Sequence, residues 1–80
     1  MNLIQVRSSL ITAVAYDPGA QELIVQFHGT GDKKQGAKYR YPNVSQEQFD
    51  ELMVAKSIGA HYMKHFRGNA DHPAVKMDEP

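Results

Sequence analysis

Eighty residues without a cysteine make one small domain near the lower limit for a self-sufficient core, and exclude disulfides, thiolate metal sites and thiol nucleophiles. Nine basic and nine acidic side chains cancel, which argues against a protein that coats polyanions wholesale. No apolar run approaches the ~18 residues of a membrane span and the N-terminus lacks a signal-peptide layout, so a cytoplasmic protein with no membrane partner is expected.

Residues 3–16 read as a first strand, in one or two parts. Leu10, Val14 and Tyr16 share one parity and Ile11, Ala13 and Ala15 the other, so either both faces are covered or a bulge near Thr12 switches the inward parity. Asp17-Pro18-Gly19 is a turn, with Pro fixing φ and Gly free to take a positive value. A second strand follows over residues 23–28, with Leu23, Val25 and Phe27 on the buried face. Residues 29–36 hold three glycines and no apolar side chain, the composition of an exposed hairpin tip. Residues 36–41 return as a third strand with Tyr39 and Tyr41 inward, completing an antiparallel meander.

Pro42 ends that strand, and Ser45 with Gln48 fits a capping box that opens a helix over residues 46–56. Val44 and Phe49 stand where a hydrophobic staple forms, and Phe49, Leu52 and Met53 make the helix's apolar stripe. Ser57 and Gly59 interrupt it; a second helix then carries Ile58, Tyr62 and Phe66 at i, i+4 and i+8, with Gly68 as its terminator. Residues 69–80 lack any stripe and read as a flexible C-terminal tail to a domain of residues 1–68.

The ordered set Ser8-Ser9, Ile11, Val14, Tyr16-Asp17, Leu23-x-Val25-x-Phe27, Gly36-x-x-Tyr39-x-Tyr41, Leu52-x-x-Ala55-x-Ser57-x-Gly59 and Phe66-Arg67 resembles the KTSC domain. That family takes its name from the C-terminus of some lysyl-tRNA synthetases and also occurs as a stand-alone small bacterial protein. The chain departs from the family in a longer hairpin between Phe27 and Gly36, and in His61-Tyr62-Met63 where the family tends to show two aromatics and an Asn. The resemblance implies the fold and the domain boundaries. It carries no established activity, and the synthetase fusion implies RNA as the ligand to test.

Lys33, Lys34, Lys38 and Arg40 form a basic strand-and-loop cluster with only Asp32 against them. Beside them, Tyr39 and Tyr41 either offer bases a stacking platform or pack beneath the first helix, the second being favoured because the meander needs large core residues. His61 and His65 have the i, i+4 spacing of a metal pair but lack the Glu of H-E-x-x-H and a local third ligand. Ser8-Ser9 has no activated base nearby and reads as a structural cap. No catalytic residue, metal site or cofactor is assigned.

The expected fold is α+β, a three-stranded antiparallel β-meander followed by two consecutive helices packed on one face. The expected function is a small non-enzymatic module binding RNA or a nucleotide-like ligand through Lys33, Lys34, Lys38, Tyr39, Arg40 and Tyr41, with Lys64 and Arg67 as a second basic group. The alternative is a protein-interaction or self-assembling, homo-oligomeric module, of phage or mobile-element origin, with a small nucleotide or metabolite pocket at its interface.

Overall fold

A computed structural model describes residues 3–29 and 35–77. The first apolar stretch is divided: β1 is Ile4–Gln5 and β2 is Ile11–Asp17. The β2 register against β3 (Glu22–His28) passes from Ile11↔Phe27 to Ala13↔Gln26, so one residue is extra in β2 near Thr12. That bulge brings Ile11 and Val14, of opposite parity, onto one face, where both are fully buried. In the β2–β3 turn the Asp17 carboxylate accepts from the N–H groups of Gly19 and Ala20. The left-handed φ of this turn falls on Gln21, at 54°, and not on Gly19 as expected.

The third strand of the meander is β4, Gln35–Tyr41, and a further strand β5, Val75–Lys76, pairs with its outer edge. The sheet therefore has five antiparallel strands in the order β1-β2-β3-β4-β5, where three were expected. The two additions are two residues long, too short to show an alternating pattern, and only tertiary pairing makes them strands.

Tyr41 to Ser45 joins the sheet to the helices. Asn43 takes a φ of 62°, which turns the chain so that Val44 donates to the Gln21 carbonyl and becomes fully buried. The Tyr16 hydroxyl donates to the Val44 carbonyl at 2.6 Å while its ring stacks on Phe49 at 4.9 Å. The capping box is complete: Ser45 Oγ accepts from the Gln48 N–H, and Gln48 Oε1 accepts from the Ser45 N–H. Helix α1 runs Gln46–Val54, short of the expected residue 56 because Ala55 is already extended. Ser57 caps α2, Ile58–His65, and Gly68 takes the left-handed φ of 72° beyond it.

The helices cover one face of the sheet. Leu52, Tyr62 and Phe66 pack with Val44 onto Ile11, Val14, Leu23, Val25 and Tyr41. Within the stretch read as the start of a flexible tail, the chain instead packs back on this core. Asn69 Oδ1 accepts from the Asp71 N–H and turns the chain, and His72 is buried at 4% exposure. The His72 ring lies 5.3 Å from that of Phe66, and β5 follows. A histidine counted as polar hid this contact from the apolar pattern. Among the described residues no helix is long and apolar enough to cross a membrane.

Candidate functional site

Strand alternation separates the residues of the expected basic and aromatic site. Tyr39 and Tyr41 point to the helix side. Tyr41 is buried, its hydroxyl is bonded to that of Tyr62, and burial followed by this hydrogen bond raises its phenol well above the ordinary value. Tyr39 is half-buried with its ring 5.8 Å from Phe27, edge to face. Lys38 and Arg40 lie on the opposite, helix-free face. There Arg40 Nε sits 3.3 Å from Glu22 Oε2, and Lys38 borders a small hollow with Leu3, Ala15, Ile24 and Met77. Lys33 and Lys34 lie outside the described residues. Tyr41 is thus core, and the two tyrosines share no surface with the two bases.

A second basic constellation forms where the loop before β2 meets the start of α2. Ser8 Oγ accepts from the N–H groups of Leu10 and Ile11, which fixes the loop, and the Ser8 carbonyl lies 2.6 Å from His28 Nε2, which ties it to β3. Gly59 lets the first turn of α2 approach closely: a Cβ there would lie 3.0 Å from Ser8 Oγ and 3.5 Å from Leu10 Cβ. Between the two segments lies an open groove of about 500 Å³. Arg7 enters it from the loop, Lys56 from the α1–α2 link, and Arg67 from just beyond α2, beside the Ser8, Ser9 and Ser57 positions. Among the described residues no Asp or Glu lines it, and none of the three bases has a carboxylate within ion-pair distance.

Three like charges around one concavity, with no acid among the described residues beside them, raise the local potential for an anion although the whole chain is neutral. Of the expected second group, Arg67 lines this groove and Lys64 does not. Arg7 and Lys56 were missed by the sequence pattern because they stand far apart in the chain. The signal available was their setting: Arg7 directly precedes Ser8-Ser9, and Lys56 directly precedes Ser57-x-Gly59.

His61 and His65 lie with ring centroids 4.3 Å apart and their planes tilted by 37°, and with Glu51 and Gln48 they border a shallow hollow of about 190 Å³. Among the described residues no three His, Cys, Asp or Glu side chains converge as a metal site. Desolvation, then the charge of His65, holds His61 below the ordinary histidine value; Glu51 opposes this and Lys64 adds to it.

Residues 7–69 match the model of the KTSC domain family. A protein of Tsukamurella paurometabola is 44% identical over 54 residues, covering 68% of this chain and 72% of its own. A protein of Stutzerimonas stutzeri is 34% identical over 67 residues, covering 84% and 86%. The crystal structure of a KTSC domain protein from Yersinia pestis superimposes with a TM-score of 0.81 at 26% identity, over 96% of this chain and 97% of that one. The matched segment begins at Arg7 and takes in the Ser8 loop, Lys56, Gly59 and Arg67, and with it the whole groove. This chain belongs to the KTSC domain family.

Proposed function

We propose that this KTSC domain is a non-enzymatic binding module for nucleic acid, and that it holds backbone phosphate in the groove of Arg7, Lys56 and Arg67. The observation that carries the reading is the convergence of three bases, from three separate segments, on a concavity that no acid among the described residues lines. Phosphate contacts of this kind supply most of the sequence-independent affinity for a nucleic acid and make it dependent on salt. Self-association finds less support. The helix-free face that it would use has an apolar floor of Ala13, Ala15 and Ile24, but Lys38 and the Arg40–Glu22 pair stand over it.

Titration with single-stranded RNA and tRNA across a salt series tests the proposal. Binding is expected at low salt. The log–log slope is expected to be shallower by about 0.7 for each phosphate left without its cation in Arg7→Ala, Lys56→Ala and Arg67→Ala. Arg40→Gln, on the opposite face, is expected to leave affinity unchanged. A loss with Arg40→Gln and none with the groove variants would move the site to the sheet face; no binding at low salt would overturn the function.

A further inference from the structure

The phosphate groove continues into a second hollow of about 320 Å³ whose lining has a different chemistry. Leu10, Met63 and Arg67 border both hollows, and beyond them the second is lined by the rings of Phe27 and Tyr62. Among the described residues its lining is aliphatic and aromatic, with one thioether and one guanidinium. Met63 is 43% exposed, and Arg67 Nη1 points back to its sulfur at 3.4 Å. The exposed thioether and the planar guanidinium stand together on the rim between the two hollows.

Resting on the nucleic-acid reading above, we infer that this second hollow receives an unstacked base, so that the domain binds single strands one nucleotide unit at a time and does not grip duplexes. The two hollows share a rim, which fits a ligand whose anionic and flat apolar parts are covalently joined, as phosphate and base are in a nucleotide. A duplex cannot supply that ligand, because its bases are stacked and paired behind the phosphates. Arg67 has two roles on this rim: its charge faces the phosphate, and its planar group and the Met63 thioether flank the base. Lysine would keep the first role and lose the second.

The test compares three probes with equal numbers of phosphates by fluorescence anisotropy: a short 5′-phosphorylated single-stranded RNA, its abasic ribose-phosphate counterpart, and a duplex. The base-bearing single strand is expected to bind on the order of tenfold more tightly than the abasic one, the scale of one stacked base. Met63→Ser is expected to narrow that gap while leaving abasic binding within about twofold, and Arg67→Lys, which keeps the charge and loses the planar group, is expected to narrow it as well. Equal affinity for all three probes would overturn the base hollow and leave the phosphate groove standing. A duplex bound as tightly as the single strand would do the same. Failure of every probe to bind at low salt would overturn both.

Discussion

The i, i+4 pair His61 and His65 shows how one residue's setting becomes a property of the fold. Their ring centroids lie 4.3 Å apart, so protonating both brings two positive charges close together, with Lys64 between them in sequence. His61 is also partly desolvated, and its folded pKa lies below 6.5. A histidine with a depressed folded pKa binds more protons when the chain is unfolded. Its effect on stability is nil above 6.5, and stability is lost as pH falls below that value. Tm is expected to decline between pH 7 and pH 5, with a smaller decline in His65→Gln, where the neighbouring charge is absent. A His65→Gln variant with the parent's pH slope would show that the pair is not the cause. The sequence displayed this pair plainly and, for want of a local third ligand, assigned it no metal; spacing alone gave no sign of how close the two rings lie.

At the scale of elements, legibility followed the length of the pattern. The helix entry was legible because Ser45, Gln48, Val44 and Phe49 each have a stereochemical reason for their place. The structure adds two supports that no local pattern displays, since the Tyr16 hydroxyl and ring lie on Val44 and Phe49 from a strand more than twenty-five residues earlier. The bulge in β2 was legible as a conflict of parity. The split of residues 3–16 into β1 and β2 was left open, and strand β5 was not legible, because it is defined by what it pairs with and not by its own residues. Ser45→Ala removes the acceptor of the Gln48 N–H and frees Gln48 from its return contact to the backbone. The expected loss is about 1 kcal/mol, read as a lower urea midpoint with an unchanged m-value. Ser45→Asp, which keeps an acceptor at the helix N-terminus, is expected to recover most of it.

For the molecule as a whole, the groove and the C-terminal segment are both products of folding. Arg7, Lys56 and Arg67 span sixty residues of sequence and become one site only when Gly59 lets α2 close on the Ser8 loop. The strand cluster Lys38-Tyr39-Arg40-Tyr41 drew attention because it is contiguous, yet contiguity on a strand places neighbours on opposite faces. The C-terminal segment posed the reverse problem, since the one buried side chain among its described residues is a histidine. Nδ1 of His72 lies 2.9 Å from the Pro42 carbonyl, and its ring covers Phe66 at the end of the core. This position also holds β5 against the edge of β4, leaving less of that edge open to another chain. A chain ending at Gly68 is therefore expected to lose about 2 kcal/mol through exposure of Phe66 and the Pro42 carbonyl. At this size that is a fall in Tm of roughly 10 °C. His72→Ala is expected to reproduce most of the fall, which separates the buried ring from the β5 pairing. The proposed phosphate binding at low salt is expected to survive the truncation, because every base that lines the groove precedes Gly68. An unchanged Tm would show that residues 69–80 contribute nothing to the fold; a stable truncated domain that no longer binds RNA would place part of the site on the C-terminal segment.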